Sequence, residues 1–568
     1  MSNTYTTSIT RTEKGGDGVG DNSHYTIVRK STNLDRMFYV YHRLGIQSNV
    51  LVAVRYGSAQ PDNKQRVVLS DEAVFSALHA VVTKYPELGL IGVVEPVDDK
   101  RHLLSLASLD AIDLNSCVEF VDGEQQQQQQ EVDAGFLEKL HNQWFWADGD
   151  TNPGQPWWKL VVVGRRDVVF VFHHLVCDGA FGMTFHREFL AALNAAAAAP
   201  TAAAAATSRR PDPNRSRRVQ LGSPERVKLS RKLEDAVHKK PSVLGIMYNL
   251  LMFLFYRFFY AKRLFFADFP KPGALPLTDP TAVAGPADRT VTKVVTRRIS
   301  ADKTKAIVAA CRAHGTTLTP FLAVVVAGTL ATDFYPDAEV GFTRYAVDMR
   351  ATGCFETEGE SEGKLLNLAA SLPEPERLKK YRHAFPASSS SSFSHVQSEK
   401  QQQTKKTPTV DSNAAWALIQ DYGRRIKASC AGGEDSHLYK SWISGNALGP
   451  SLEEFADKLP TMGLFMHNSF SVSNVGALKA AAAAPGAPNT EEPLVRIEDV
   501  QFSAGPVRGA VGYHGIVFNV AGVAGGDTVI NACTEGGVAP DGMPRAVLDG
   551  VMARIDALLE QRDFSHNS

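Results

Sequence analysis

Residues 168–179 have the sequence VVFVFHHLVCDG, in which a β-branched and aromatic run is followed at once by two histidines, an aspartate and a glycine. The run predicts a buried β-strand over 168–172, and Gly179 is expected to permit a turn after it. Neighbouring side chains on a strand point to opposite faces, so His173 and His174 cannot both face one reactant unless the strand has ended. We therefore expect one histidine to be chemical and the other structural.

The sequence on both sides of this stretch mixes predicted strands with predicted helices. Short apolar runs predict strands, and apolar residues at helical spacing predict helices. The predicted strands are 49–56, 160–163, 495–502, 515–520 and 528–533, and the predicted helices are 70–85, 301–311, 318–330 and 545–562. Because the two types do not alternate regularly, the sequence predicts an α/β (α+β) fold without a clean βαβ repeat.

Composition and charge exclude several classes of protein. The 568 residues include 60 Lys and Arg against 61 Asp and Glu, so no global basic field is available and no nucleic-acid partner is expected. With 44% hydrophobic and 21% charged residues, the composition is typical of a soluble globular protein. The six cysteines are scattered without a C-x-x-C pair, which indicates a reducing compartment. No metal site is predicted, because no second cluster has ligand spacing.

Low-complexity tracts and one basic, proline-punctuated segment suggest how the chain is divided. The polar residues 1–24 lack the apolar region of a signal peptide and are predicted to be a disordered tail. We predict an N-terminal lobe over 25–206, a crossover over 207–287 and a C-terminal lobe over 288–568. Runs of Ala, Gln or Ser are interpreted as loop insertions, and they are 125–130, 195–199, 202–206, 388–392, 401–403 and 480–484.

Residues 243–266 are the most hydrophobic part of the crossover. The apolar run 243–256 is shorter than the ~20 residues that a membrane-spanning helix needs, so a spanning helix is not expected. Two interpretations stay open. The segment is either a helix packed against a lobe or an interfacial helix, in which phenylalanines and the flanking Lys262 and Arg263 contact a membrane surface.

Four motifs together carry a family resemblance. The pattern His173-His174-x3-Asp178-Gly179 resembles the HHxxxDG motif of the chloramphenicol acetyltransferase-like superfamily, which includes BAHD acyltransferases, condensation domains and fungal alcohol O-acetyltransferases. The sequences PWWKL at 156–160, VDMR at 347–350 and FSVSNVG at 470–476 agree with that family in order and spacing. Because the DFGWG sequence of plant BAHD enzymes is absent, the chain is most similar to the fungal alcohol O-acetyltransferases.

The resemblance implies a fold of two lobes, each a mixed sheet packed with helices, with an active-site channel between them. It implies that His174 is a general base, a role that suits an imidazole with a pKa near ~6.5. It also implies that Asp178 pairs with Arg350, so that this carboxylate and guanidinium hold the histidine-bearing loop. No acyl-enzyme is needed in such a scheme, because the acceptor attacks the thioester directly.

A hydrogen-bond donor is needed where negative charge develops on the thioester oxygen. Ser473 and Asn474 are the candidates, with Gly476 allowing close approach of the backbone. Cys177 is not interpreted as a nucleophile, because a histidine nearby in sequence is no evidence of a Cys-His pair.

The sequence therefore predicts an alcohol O-acetyltransferase of ester biosynthesis, with acetyl-CoA as co-substrate and no bound cofactor or metal. A small alcohol is the predicted acceptor, and a sphingoid or other amine is the enzymatic alternative. A non-catalytic condensation-like binding module is the other alternative. We expect a cytoplasmic monomer, and the endoplasmic reticulum or a lipid droplet is the expected surface if 243–266 contacts a membrane.

Overall fold

The computed structural model describes residues 25–59, 69–98, 101–121, 131–146, 154–198, 217–229, 243–260, 262–269, 285–348, 350, 367, 369–387, 408–430, 469–481, 494–508 and 514–565. The predicted tail and the tracts 125–130, 202–206, 388–392 and 401–403 lie outside these residues. Within them, the chain forms two lobes, built on a five-stranded and a six-stranded mixed sheet. A three-stranded and a two-stranded antiparallel sheet add to the first lobe.

The strands and helices are numbered in chain order. The strands are β1 (Tyr25–Lys30), β2 (Val50–Ser58), β3 (Leu90–Asp98), β4 (Arg101–Leu109), β5 (Ala111–Asp113), β6 (Val118–Val121), β7 (Trp158–Val163), β8 (Asp167–Phe172), β9 (Arg218–Gln220), β10 (Thr292–Ile299), β11 (Val340–Asp348), β12 (Ala369–Arg377), β13 (Ser469–Leu478), β14 (Val495–Ala504), β15 (His514–Val523) and β16 (Thr528–Glu535). The helices are α1 (Asn33–Arg43), α2 (Asp71–Lys84), α3 (Ala134–His141), α4 (Gly179–Ala198), α5 (Val243–Phe259), α6 (Ala301–Ala313), α7 (Leu318–Thr329), α8 (Leu378–Ala384), α9 (Ser412–Cys430) and α10 (Met543–Ser565).

The first lobe contains a five-stranded sheet with the order β14-β2-β8-β7-β6. The strands predicted over 160–163 and 168–172 are confirmed as β7 and β8, which form a hairpin whose connecting turn places Gly164 and Arg165 at positive φ. Phe170 and Phe172 face a core shared with α2 and α4, whereas Val171 faces a smaller apolar cluster between this sheet and the second lobe. The alternation along β8 therefore separates the core of the lobe from the junction of the two lobes.

The second lobe contains a six-stranded sheet with the order β10-β16-β15-β13-β11-β12. Its central strands β11, β13 and β15 run parallel to one another, and the outer pairs are antiparallel. The mostly apolar helix α7 packs on β11 and β13 and is covered by α9 and α10, which explains why nearly every residue of α7 is buried. This mixed arrangement is the α/β architecture that the sequence predicts.

Two features differ from the sequence predictions. β14 lies in the segment predicted as the C-terminal lobe, yet it pairs with β2 at the edge of the first lobe's sheet, a long-range pairing that local patterns do not encode. The tract that begins at Ala195 was expected to be a loop, but its residues up to Ala198 form the last turn of α4, since alanine has the highest helix propensity.

Among the described residues, no single helix is long and apolar enough to span a membrane. One pair, Ala301–Ala313 with Leu318–Phe334, passes that test jointly by length and composition, but it is bent by 100°. The apolar residues of α7 in this pair belong to the buried core of the second lobe.

Candidate active site

The histidine-bearing loop, residues 173–178, links the end of β8 to the start of α4. The amide of His173 donates to the carbonyl of Trp157 at 3.0 Å, and the carbonyl of His173 accepts from the amides of Val176 and Cys177. Because the strand has ended at Phe172, the two histidines are released from strict alternation of faces.

His173 is a structural residue of this loop. Its Nδ1 accepts from the amide of Leu175 at 2.9 Å, which leaves the proton of the neutral ring on Nε2. The ring is 1% exposed and lies 4.5 Å from the ring of His42 and 4.8 Å from that of Trp157, measured between centroids. Burial lowers the pKa of His173 well below its ordinary value, and the charge of a protonated His42 would act in the same direction. His173 is therefore neutral and is held by its neighbours.

His174 has different surroundings. Its ring stacks on Phe38 of α1 with a centroid distance of 3.8 Å and an interplanar angle of 12°. The buried Nδ1 of His174 has no hydrogen-bond partner in the part of the chain that the structure describes. Burial lowers the pKa of His174, although the Asp178 carboxylate opposes this effect. A neutral imidazole that is fixed by stacking and not fully hydrogen-bonded is suited to accept a proton.

Asp178 and Arg350 form the ion pair that the resemblance implies. Nη1 of Arg350 donates to Oδ2 of Asp178 at 2.9 Å, and the Asp178 carboxylate is buried. The other carboxylate oxygen accepts from the amide of Phe181 at 2.9 Å, which caps the first turn of α4. Because Arg350 follows β11 of the second lobe, this pair holds the histidine-bearing loop against that lobe.

Gly179 has a role that differs from the predicted one. It is the first residue of α4 and does not take a positive φ, so no special turn requires it. A Cβ atom at this position would lie 2.7 Å from Cγ1 of Val475 and 2.9 Å from the ring of Phe502. The glycine is needed because β13 and β14 approach the helix closely.

The structure distinguishes between the two candidate donors on β13. The side-chain amide of Asn474 donates to Oγ1 of Thr319 at 3.1 Å, and its side-chain oxygen accepts from the amide of Gly476 at 2.9 Å. The Ser473 hydroxyl makes no hydrogen bond among the described residues, and Ser473 pairs with Asn519 of β15. The Asn474 side chain is thus occupied in holding the strand, whereas the Ser473 hydroxyl is not engaged by any described residue.

Gly476 also differs from its prediction. Its φ of 84° lies in the left-handed region, and nothing lies within 4 Å of the position of a Cβ atom. The glycine is required by the backbone conformation at the bulge of β13 and not by close approach of another group.

Neither a metal site nor a reactive thiol accompanies these residues in the described part of the chain. No group of three or more His, Cys, Asp or Glu side chains there could hold a metal ion. Burial raises the pKa of Cys177 well above its ordinary value, so its thiol is protonated at neutral pH.

Two contacts of His174 involve residues that the sequence analysis does not predict. Phe38 lies on α1, whose start carries a capping box between Thr32 and Asp35, and this box is a sequence signal for the helix. The side-chain amide of Asn367 donates to the backbone carbonyl of His174. No sequence signal identifies Asn367, because its partner lies in the other lobe.

Comparisons with known proteins support the family resemblance and the fold. Residues 109–360 match the model of the alcohol acetyltransferase family. A curated protein of Aspergillus fumigatus, named Probable alcohol acetyltransferase crmB, is 28% identical over 176 residues, which are 29% of this chain and 36% of that protein. The chain therefore matches about a third of the length of this relative. The predicted resemblance to alcohol acetyltransferases is confirmed.

Solved structures with the same fold include enzymes of several kinds. TRI3 trichothecene 15-O-acetyltransferase from Fusarium sporotrichioides is 11% identical with a TM-score of 0.61, covering 94% of this chain and 96% of that one. Polyketide synthase associated protein 5 from Mycobacterium tuberculosis is 14% identical with a TM-score of 0.50, covering 94% and 99%. A starter condensation domain of rhizomide synthetase, in complex with C8-CoA and Leu-SNAC, is 10% identical with a TM-score of 0.50, covering 94% and 95%. At these identities the likeness concerns the fold alone, and the predicted two-lobed fold is confirmed.

Proposed function

We propose that this chain, a relative of the alcohol acetyltransferases, moves an acetyl group from acetyl-CoA to the hydroxyl of a small alcohol. The observation that carries the proposal is the state of His174, whose buried Nδ1 has no hydrogen-bond partner among the described residues. Stacking on Phe38 fixes the ring, and the lowered pKa keeps it neutral at physiological pH. These are the properties of a general base.

The reaction follows from these groups without an acyl-enzyme. His174 accepts the proton of the acceptor hydroxyl while the alcohol oxygen attacks the thioester carbon. The Ser473 hydroxyl donates to the developing oxyanion. The carbon–sulfur bond then breaks, and the thiolate of CoA takes the proton from the His174 imidazolium. Atoms and charge balance, because one proton passes from the alcohol to the thiol.

The experiment measures release of free CoA from acetyl-CoA with a panel of short, branched and aromatic alcohols and one sphingoid amine. We expect release that depends on an alcohol and falls by ~100-fold or more in His174→Ala. His383→Ala, which changes an exposed histidine of α8, is the matched control. Release of CoA only with the sphingoid amine would show that the acceptor is an amine and not an alcohol. Binding of CoA without release under any condition would favour a binding module and contradict the enzymatic proposal.

We further propose that the protein is a cytoplasmic monomer. We also propose that its helix α5 contacts the cytoplasmic surface of a membrane, such as that of the endoplasmic reticulum or a lipid droplet. Apolar side chains of this helix are exposed in a stripe with helical spacing, namely Leu244, Met247, Tyr248, Leu251, Phe255, Phe258 and Phe259. The opposite side of the helix packs on β11, where the rings of Tyr256 and Phe342 meet. The stripe is therefore a face of α5 that the described residues leave uncovered.

Charge at one end of the stripe favours an anionic lipid surface as its partner. Lys262, Arg263 and Arg377 are exposed there, and the guanidiniums of Arg263 and Arg377 lie 5.2 and 4.8 Å from the ring of Tyr260. Aromatic and basic groups side by side are typical of interfacial helices. Flotation with anionic liposomes should carry the native chain upward, and the double variant Phe258→Ser, Phe259→Ser should stay in the dense fraction. Equal flotation of both would contradict membrane contact.

A further inference from the structure

Arg344 lies on the face of β11 that looks toward the first lobe. The residues on either side of it face the opposite way, because Thr343 shares a 2.7 Å hydrogen bond with the Tyr422 hydroxyl of α9 and Tyr345 packs edge-on against the same ring. Successive side chains of a strand alternate. The guanidinium of Arg344 therefore extends from the sheet toward the junction of the lobes.

The register of the sheet places Arg344 near the proposed reaction site. Arg344 pairs with Ser471 in the parallel pairing of β11 and β13, so both side chains lie on one face, and Ser473 follows two residues later on that face. From the first lobe, the charge of Arg344 acts on Tyr41 of α1. Tyr41 lies one helical turn after Phe38, the residue that stacks on His174.

Arg344 is partly buried and has no counter-charge among the described residues, unlike Arg350 and Arg554. Its Nε is buried without a hydrogen-bond partner, and the side chain forms no ion pair among the described residues. By contrast, Arg350 contacts Asp178 and Arg554 contacts Asp333. Burial lowers the pKa of Arg344 to about 10, and the charge of Tyr41 opposes this effect. Desolvation of a cation without an anion destabilises a fold, and a bound anion would remove that cost for Arg344.

We infer that Arg344 binds an anionic group, a carboxylate or a phosphate, of a substrate that lies between the lobes. The inference rests on the proposed function and extends it, because it assigns a charged group to one of the two substrates. A guanidinium forms paired, charge-assisted hydrogen bonds with either anion. The phosphates of acetyl-CoA and a carboxylate on the acceptor are the two sources of such a group.

The test compares charged and neutral ligands by equilibrium binding, which needs no turnover. The first pair is acetyl-CoA and S-acetyl-N-acetylcysteamine, which lacks the phosphates. The second pair is a hydroxy acid and the alcohol of equal length. In Arg344→Gln we expect the Kd of one anionic ligand to rise by ~10- to 100-fold while its neutral partner is unaffected, and Arg344→Lys should restore part of the affinity. The pair that responds identifies the source.

Arg297→Gln is the matched control, because Arg297 lies on β10 of the same sheet and already pairs with Asp549. Equal loss for charged and neutral ligands in Arg344→Gln would mean that the residue only packs, and it would overturn the inference. So would unchanged binding of all four ligands. If acetyl transfer is never detected but the charge selectivity appears, the proposed function fails and the anion site stands. If acetyl transfer is detected without charge selectivity, the proposed function stands and the anion site fails.

Discussion

Two histidines lie where the lobes meet, His141 fully buried and His174 partly exposed, and their surroundings differ. His141, at the end of α3, has Nδ1 2.9 Å from the Ser48 hydroxyl and Nε2 2.7 Å from the Ser503 hydroxyl. His174 stacks on Phe38, and its Nδ1 has no hydrogen-bond partner within the described ranges. Buried polar groups are normally satisfied, so the first arrangement is that of a structural residue. The second leaves a buried nitrogen unsatisfied, which is the pattern expected of a functional group.

The buried hydrogen bonds between the two lobes depend on the position of β14. This strand crosses into the first lobe's sheet and brings backbone carbonyls within reach of the second sheet. The side-chain amides of Asn519 and Asn531 donate to the carbonyls of Ala504 and Phe502, each at 3.0 Å. The lobes are thus joined by a buried, hydrogen-bonded contact, while the histidine-bearing loop is joined to the second lobe by the Asp178–Arg350 pair.

The largest expected effects come from replacing each of the two histidines, His174 and His141, with alanine. His174→Ala should lower kcat by ~100- to 10,000-fold with little change in the free energy of unfolding, because a base is removed and few contacts are lost. His141→Ala should lower the free energy of unfolding by about 3 kcal/mol, because it opens a cavity and removes one hydrogen-bond partner from each of two buried hydroxyls. Steady-state kinetics and denaturant titration measure the two effects. If the variants lost activity alike and stability alike, the comparison would fail.

The next effect concerns the ion pair that fixes the loop. Asp178→Asn should lower the free energy of unfolding by ~1–3 kcal/mol, because it removes the buried carboxylate of the pair and leaves Arg350 with the exposed Asp348 carboxylate as its acidic partner. The double variant Asp178→Asn, Arg350→Gln should lose less than the sum of the single variants, since the two residues interact directly. Additive losses in a double-mutant cycle would show that the pair contributes nothing specific.

A smaller effect is expected at the proposed oxyanion donor. Ser473→Ala should lower kcat by ~10- to 100-fold with unchanged KM, because the donor acts on charge that develops only in the transition state. Asn474→Ala is the contrasting variant and should mainly lower thermal stability, since its side chain joins β13 to Thr319 of α7. A loss of kcat in Asn474→Ala alone would transfer the role to Asn474.

These contrasts show how far the sequence could predict the molecule. The strand before His173 and the hairpin of β7 and β8 follow from local patterns, and so does the amphipathic helix at the C-terminal end. The contact of Phe38 with His174 could not be predicted, because the two residues are distant in sequence and α1 lacks a long apolar repeat. The placement of β14 depends on pairing with β2, which no local propensity specifies.

The sequence identifies most residues of the candidate site, but it predicts the structural role of only some of them. The motif identifies His174, Asp178 and Arg350 through the resemblance, and the structure brings the latter two into contact. Both glycines are present for reasons other than those predicted, because contacts at Gly179 and the φ angle at Gly476 are tertiary properties. Arg344 carries no sequence signal, since its lack of a counter-charge is visible only once both lobes are placed.

The smallest expected effect is a loss of stability in acid. Each of three buried histidines, His42, His141 and His186, should contribute to this fall in the free energy of unfolding. Burial lowers the pKa of His42, His141 and His186 to about 3, below the ordinary 6.5. Between those values the unfolded chain binds protons that the folded chain does not, so stability is greatest above pH 6.5 and falls as the pH falls toward 3. Each residue should contribute about 1.4 kcal/mol of loss between pH 7.5 and 5.5.

Denaturant titrations at the two pH values measure this loss, and His141→Gln should reduce it by the share of one histidine. The rate of acetyl transfer should behave differently from stability. Because burial lowers the pKa of His174 as well, the base stays neutral at physiological pH, and kcat should fall only at pH values below that lowered pKa. A rate that fell in parallel with stability would mean that acid unfolds the junction before it protonates the base. Measurements at different pH values would then not distinguish His174 from the buried structural histidines.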